Sequence, residues 1–250
     1  MRFMTVTFLS GFFIMNFVAV QMNAETFHFE AEDFVDSDGK EWEKLKPPFS
    51  APVQVHEHMA KEIRGKGKYS IAEASNGAFI GIPNGPGDRI NVLGGAWIKY
   101  TFNVPAEGSY YIWSRAIAPT VGDNSIYWGL DFDDDKAVSE DNKDMNIWDF
   151  YEAAQFRGEL SSGWVWFQIN SRSGPFNGPE ATQNGQNPKP VRLSAGDHTL
   201  HIVHREDGMY IDVIFATTNK SQDPSKVLPS LAVSPKGKLA VTWGNIRQQY

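Results

Sequence analysis

The stretch from Trp97 to Val104, WIKYTFNV, decides the fold of this sequence. Every second residue in it is apolar, so that Ile98, Tyr100, Phe102 and Val104 share one face and polar residues share the other. Because the side chains of a β-strand alternate between two faces, this pattern predicts a strand with one buried side.

The chain turns after this strand and returns. Pro105, Glu107 and Gly108 favour a turn, and residues 110–117 (YYIWSRAI) form a second predicted strand, so a hairpin is the simplest prediction. Six further segments have strand patterns separated by turn residues: 27–32, 77–82, 125–132, 164–169, 198–205 and 209–217. Helix is predicted only around residues 55–64 and 148–156. Many strands and little helix predict an all-β fold, an antiparallel β-sandwich.

The composition excludes several classes of protein. The 250 residues include 23 Lys and Arg against 30 Asp and Glu, a formal net charge of -7. Proteins that bind nucleic acid normally gather positive charge on one face, so we expect no nucleic-acid partner. The absence of cysteine excludes disulfides, thiolate zinc sites and a cysteine nucleophile.

The amino terminus has the pattern of an export signal. Arg2 precedes the apolar residues 8–20 (FLSGFFIMNFVAV), a stretch too short to predict a membrane span. We predict a signal peptide over residues 1–24, with an uncleaved membrane anchor as the alternative, and either one makes this a secreted or extracytoplasmic protein. Residues 25–218 would form the sandwich. Residues 219–250 would form a linker and C-terminal tail.

Short motifs in a fixed order connect the sequence to a known family. They are FEAEDF (residues 29–34), WIKY (97–100), GSYY (108–111), GWVW (163–166), LSAGDHTL (193–200) and IDVI (211–214). In this order they resemble carbohydrate-binding modules of the galactose-binding-like jelly roll, families 6 and 35. The resemblance implies a jelly roll over about residues 27–217 and a polysaccharide or glycan partner. Residues 36–68 and 133–160 depart from the family pattern and are predicted to be long loop insertions.

Glu30 and Glu32 are candidate metal ligands. They lie two apart on a predicted strand, so both carboxylates leave the same face, and Ca²⁺ binds several oxygens at short range. In the resembled modules, two glutamates of the first strand and an aspartate of the last strand hold a structural calcium, which implies Glu30, Glu32 and Asp212 here. The alternative is that these carboxylates face solvent. A second acidic stretch, DFDDD (131–135), lacks the glycine of a calcium-binding loop, because Lys136 takes its place, and is interpreted as a solvated turn.

Trp164 is the main candidate for sugar binding. The C–H face of a pyranose packs against an indole, while the hydroxyls of the sugar need fixed polar partners. Trp164 and Trp166 alternate with three apolar residues, so both indoles point outward if the aliphatic face points to the core. The resemblance assigns ring stacking to Trp164. The hydrogen-bonding asparagine of the family falls on Tyr210, which offers a second stacking face instead.

Further ligand-binding candidates lie on loops at the same predicted end of the sandwich: Asn124, Arg205 and Glu206. Trp148 and Tyr151 occupy an otherwise polar insertion and are either ligand platforms or a local core. Arg115 shares a strand face with Trp113, and we expect it to stack on an indole or to pair with a carboxylate.

Catalytic motifs are sparse. The HEH triplet at residues 56–58 lacks the i, i+4 spacing of helical zinc sites, and His198, His201 and His204 do not share one strand face. The leading hypothesis is a secreted, non-catalytic carbohydrate-binding module with a structural calcium. The alternatives are a polysaccharide lyase or hydrolase on a jelly-roll scaffold, and an envelope or matrix protein whose C-terminal tail binds a cell-surface partner.

Overall fold

The computed structural model describes residues 24–52, 68–83, 85–89, 96–119, 122–131, 145–150, 163–171 and 190–228. These residues form fourteen strands, one short α-helix and two 3₁₀ turns, Ala31–Asp33 and Ser75–Gly77. Glu32 therefore lies in a 3₁₀ turn after the first strand, and its predicted place on the same strand as Glu30 is wrong. The strands are β1 (Thr26–Glu30), β2 (Asp36–Ser37), β3 (Glu43–Leu45), β4 (Phe49–Pro52), β5 (Lys68–Ile71), β6 (Phe79–Gly81), β7 (Trp97–Val104), β8 (Gly108–Ile117), β9 (Ser125–Leu130), β10 (Asn146–Asp149), β11 (Val165–Gln168), β12 (Val191–Leu193), β13 (Gly196–Val203) and β14 (Tyr210–Thr217). The helix is α1 (Pro224–Val227).

Two antiparallel sheets form the body of the molecule, which confirms the all-β prediction. The large sheet has the order β11-β8-β14-β6-β3, with β1 along the other half of β14 and β12 along β8. The small sheet has the order β10-β9-β13-β7-β2. Strands β4 and β5 form a separate two-stranded sheet.

The core lies between the two sheets and is built by strand alternation. In β7, the predicted face of Ile98, Tyr100, Phe102 and Val104 is buried, while the residues between them are half-buried or exposed. Side chains from β8, β9, β11, β13 and β14 complete the same apolar cluster. Each large apolar side chain that is fully buried contributes about 1.5–3 kcal/mol to stability.

The predicted hairpin between the strands of residues 97–104 and 110–117 is wrong. Strand β7 pairs with β13 and β2 in the small sheet, whereas β8 pairs with β14, β11 and β12 in the large sheet. The turn after Val104 therefore carries the chain from one sheet to the other. Turn residues predict that a chain reverses direction, but they do not decide with which strand it then pairs, and in a sandwich the returning strand can join either sheet.

The first predicted loop insertion is partly regular structure. Within residues 36–68, β2 extends the small sheet, β3 extends the large sheet, and β4 pairs with β5. In the second insertion, residues 146–149 form β10 rather than the predicted helix around Trp148. The predicted signal peptide, the helix of residues 55–64 and most of the C-terminal tail lie outside the described residues. Among the described residues, no helix is long and apolar enough to span a membrane.

Several strand ends and connections meet at one end of the sandwich, which we call the loop end. Strands β6 and β8 reach Gly81 and Ile117, both opposite Tyr210, where β14 begins. In the small sheet, β13 ends at Val203, and residues 204–209 pass from there to β14. The opposite end, with the turns after β7 and β12, is called the base end.

Candidate functional site

Trp164 lies half-buried at the loop end, immediately before β11. Its indole N–H donates to the carbonyl oxygen of Glu73 at 2.7 Å. Phe79 meets the indole edge-on, with ring centroids 5.5 Å apart and planes at 74°. The guanidinium carbon of Arg115 lies 5.4 Å from the centroid of the indole ring. Three segments of the chain thus fix the ring, which lowers the entropy cost of binding a ligand.

Arg115 connects the indole to a buried carboxylate. Its guanidinium pairs with Asp212, whose side chain is 0% exposed. The other oxygen of Asp212 accepts a hydrogen bond from the backbone N–H of Ser75 at 2.9 Å. Burial raises the pKa of Asp212 to about 6, although the ion pair with Arg115 and the Ser75 hydrogen bond oppose this rise. Arg115 is therefore both the partner of a buried charge and a contact of the indole.

The short 3₁₀ turn Ser75–Gly77 connects the candidate metal ligands to the same site. The serine hydroxyl of this turn donates to Glu30 at 2.8 Å, and the asparagine amide donates to Glu32 at 3.2 Å. The carbonyl that holds the indole belongs to Glu73, two residues before the turn. One segment thus supports both the carboxylates and the indole.

Glu30 and Glu32 have the chemistry of cation ligands, but they do not form a complete metal site. Burial is the main factor that raises the pKa of each to about 7, and Asp212 repels both. One oxygen of each glutamate is buried and accepts no hydrogen bond. However, no group of three or more His, Asp or Glu side chains within the described ranges is arranged to hold a metal. Arg115 already neutralises Asp212, so Glu30 and Glu32 are the carboxylates whose charge a calcium ion would neutralise. Calcium binding itself stays a prediction.

Tyr210 does not offer a stacking face. Its side chain is 0% exposed and packs against Phe79 and Phe49, with ring centroids 5.8 Å and 5.3 Å away. Phe49 belongs to β4, within the predicted insertion of residues 36–68. A Cβ on Gly81 would lie 2.2 Å from the Tyr210 ring, so the backbone approaches this ring closely. The insertion thus turns the predicted ligand position into a packing position.

Trp148 is also a packing residue. It is 0% exposed within the main core, its ring centroid lies 5.2 Å from that of Phe150, and its N–H donates to the carbonyl of Gln168. Of the two interpretations of this residue, a ligand platform is wrong in this structure, because an indole without exposed surface cannot stack on a sugar. Tyr151 lies outside the described residues.

Asn124, Arg205 and Glu206 do come together at the loop end, but they bind one another. One oxygen of Glu206 pairs with Arg205, and the other accepts the backbone N–H of Asn124 at 2.9 Å. Arg205 also donates to the hydroxyl of Ser125. Burial raises the pKa of Glu206 to about 7 against the opposing effect of Arg205. The cluster ties the start of β9 to the connection before β14.

Two histidine–carboxylate pairs lie outside this site. At the base end, Nδ1 of His198 lies 2.6 Å from Asp131, and Nε2 lies 3.2 Å from the Ser194 hydroxyl and 3.0 Å from the Ser194 carbonyl. The carbonyl can only accept a hydrogen bond, so its contact with Nε2 favours a proton on that nitrogen, and a nitrogen that carries a proton cannot take one from a serine hydroxyl. At the loop end, Nδ1 of His204 lies 2.5 Å from Glu41, and the imidazole is fully buried.

Sequence reasoning did not identify Glu73 or Ser75 as part of the site. The backbone carbonyl of Glu73 holds the indole, and the backbone N–H of Ser75 donates to Asp212. Backbone contacts of this kind leave no residue-type signal in the sequence. Arg115 fulfils both expected roles, since it pairs with a carboxylate and lies over an indole. The indole is that of Trp164 rather than that of Trp113.

Comparison with known proteins gives structural matches only. No protein-family model and no curated protein matches the sequence. Among solved structures, the chain is similar to the C-terminal family 6 carbohydrate-binding module of a laminarinase from Zobellia galactanivorans, with 16% identity, a TM-score of 0.39, and coverage of 77% of this chain and 99% of that one. It is also similar to a family 6 module of a Cellvibrio mixtus lichenase in complex with cellotriose (17% identity, TM-score 0.38, coverage 78% and 98%). A family 35 module from Clostridium thermocellum matches with 11% identity, a TM-score of 0.37, and coverage of 77% and 97%.

These are the two families that the sequence motifs resemble. Because the identities and TM-scores are low, the ligand of this chain has to be inferred from its own residues.

Proposed function

We propose that this chain is a carbohydrate-binding module that holds a glycan at the loop end, with Trp164 as its stacking surface. The observation that carries the proposal is the half-buried indole, fixed by Glu73, Phe79 and Arg115 at the edge of the sandwich. A pyranose offers a face of C–H groups that packs on such a ring. An indole held in place before binding loses little freedom when the sugar arrives.

Polar groups near the indole suit the hydroxyls of a sugar. The exposed side chain of Glu73 accepts hydrogen bonds, and the guanidinium of Arg115 donates them. This mixture of one aromatic surface with a few polar groups is typical of small-ligand sites in proteins.

The proposed role is non-catalytic. A lyase or hydrolase needs an acid or base that reaches its substrate. At the loop end, both oxygens of Glu206 are engaged, by Arg205 and by the Asn124 N–H. At the base end, His198 has acceptors on both ring nitrogens. These contacts argue against either group as the base of an enzyme.

Calcium belongs to the proposal as a structural ion bound by Glu30 and Glu32, with Asp212 adjoining. When bound, the ion would neutralise carboxylates that repel one another in the folded chain. The buried glutamate oxygens without a hydrogen bond support this assignment. We also propose that residues 1–24 direct the chain out of the cytoplasm and are removed as a signal peptide.

Affinity electrophoresis against a panel of polysaccharides tests the proposed function. Trp164→Ala should weaken binding by about tenfold, the order of effect that one aromatic contact supplies. Trp97→Ala is the matched control, because Trp97 is a half-buried tryptophan on the outer face of the small sheet. Equal affinity of both variants, or no retardation of the wild-type protein by any polymer, would contradict the proposal.

Two further measurements separate the rival functions. A polysaccharide lyase would release unsaturated ends and a hydrolase would release reducing ends, so the proposal expects neither after long incubation. Deletion of residues 229–250 should leave glycan binding unchanged. A protein that acts through its tail would instead lose its attachment to cells with this deletion.

A further inference from the structure

The charges around Trp164 bear on which glycans the site accepts. Among the described residues, Arg115 is the cation that lies over the indole. Its charge is matched by Asp212, which has no exposed surface. A buried carboxylate that loses its partner is strongly destabilising, so Arg115 is not free to leave Asp212 for a ligand.

One further carboxylate, that of Glu73, adds negative charge beside the pair. The backbone carbonyl of Glu73 holds the indole, and the charge of its side chain acts on Asp212. Glu73 is exposed, so its charge faces the solution from which a ligand arrives. An anionic group placed on the indole would therefore meet a neutral ion pair and, beside it, the negative charge of Glu73.

We propose that the Trp164 site selects uncharged saccharides and rejects saccharides that carry carboxylate or sulfate groups, because Asp212 neutralises Arg115. This inference rests on the proposed function and specifies its ligand class. Asp212 and Glu73 act as specificity-determining residues, the first through the ion pair and the second through its exposed charge.

Matched pairs of polymers test the selectivity. Hydroxyethyl cellulose and carboxymethyl cellulose share a backbone and differ in charge, as do xylans without and with glucuronic acid side chains. Affinity electrophoresis in EDTA, which prevents divalent ions from bridging the polymers, should show stronger binding of the neutral member by about tenfold in at least one pair. Added NaCl should narrow the difference, because salt screens the repulsion.

The outcomes distinguish the two proposals. Tighter binding of the anionic member, weakened by salt, would overturn the charge selectivity and leave the glycan-binding function standing. Retardation by neither member of either pair, both in EDTA and in buffer with added calcium, would overturn both, since the second condition supplies the proposed structural ion.

Two variants address the mechanism. Asp212→Asn keeps an oxygen for the Ser75 N–H and releases the charge of Arg115, so the ratio of anionic to neutral affinity should rise several-fold. Because this variant risks misfolding, Glu73→Gln is the second test, with an expected rise of about twofold from one exposed charge. Glu107→Gln, an exposed glutamate at the base end, is its control and should leave the ratio unchanged. An unchanged ratio in Glu73→Gln and in a folded Asp212→Asn protein would overturn the mechanism.

Discussion

The charged side chains at the two ends of the sandwich differ in their exposure to solvent. At the base end, charged side chains pair near the surface, as in Arg192 with Glu107 at 2.7 Å, which are 82% and 61% exposed. At the loop end, Glu30 and Glu206 are largely withdrawn from solvent, and burial raises the pKa of each to about 7. Surface pairs contribute little to stability, whereas buried carboxylates cost stability and are frequent at functional sites. The base end therefore closes the fold, and the loop end is where the proposed glycan site lies.

The largest expected effect is the loss of stability when a buried tyrosine is removed, and the accompanying change in glycan binding should differ between the two ends. Each end has a fully buried tyrosine, Tyr210 at the loop end and Tyr110 at the base end. Tyr210→Ala and Tyr110→Ala should each lower the free energy of unfolding by about 3–5 kcal/mol, because each leaves a cavity. Only Tyr210→Ala should also weaken glycan binding, since Tyr210 packs on Phe79, which contacts Trp164. Denaturant unfolding and affinity electrophoresis measure the two effects. Equal losses of glycan binding in both variants would contradict the division between the ends.

Calcium should stabilise the folded protein through the loop end. At a free calcium concentration about a hundred times Kd, the gain is about 2.7 kcal/mol, or about 5–10 °C in Tm for a chain of this size. The double variant Glu30→Gln, Glu32→Gln should lose this gain, as measured by thermal unfolding in calcium and in EDTA.

Asp131→Asn at the base end is the control and should respond to calcium as the wild-type protein does. Persistence of the full calcium effect in the double variant would show that the ion binds elsewhere.

Local patterns in the sequence determine the strands and their faces, but not the neighbours of each face. The alternation of WIKYTFNV predicted both β7 and its buried side. It carried no information on which sheet β8 joins, because that choice depends on pairing with β14, about a hundred residues later. Tyr210 was misassigned for the same reason, since Phe49, which covers it, comes from a distant insertion. The contact between Arg115 and Trp164 likewise depends on tertiary packing.

A pH effect of intermediate size is expected from Glu206. Burial raises the pKa of Glu206 to about 7 from an ordinary value of 4.5. The folded protein therefore holds a proton that the unfolded chain releases, so stability falls as the pH rises from about 4.5 to 7, by roughly 1–3 kcal/mol. Glu30 and Glu32, whose pKa values burial also raises to about 7, contribute slopes of the same sign. Glu206→Gln, which cannot ionise, should therefore make this part of the stability profile less steep without abolishing it, as measured by urea unfolding at several pH values. Glu107→Gln should leave the slope unchanged, and an equally steep slope in Glu206→Gln would contradict the assignment to Glu206.

The smallest expected effect is a loss of stability at higher pH, caused by deprotonation of His198 at the base end. Burial alone lowers the pKa of His198, but hydrogen bonds to Asp131 and to the Ser194 carbonyl outweigh this and raise the pKa above 6.5. The stability that protonated His198 contributes is complete below about pH 6.5 and is lost as the pH rises through the folded pKa. Because Asp131 is 45% exposed, the loss should be below about 1 kcal/mol.

Two variants identify the origin of this effect. Asp131→Asn should lower the His198 pKa, measured by NMR titration of the imidazole, and should remove the loss of stability at higher pH. Ser194→Ala should change neither, because the backbone carbonyl is the partner that requires a proton on Nε2. A pKa that shifts in Ser194→Ala as much as in Asp131→Asn would mean that the hydroxyl takes part, and the arrangement would then have to be reconsidered as a nucleophile with its base.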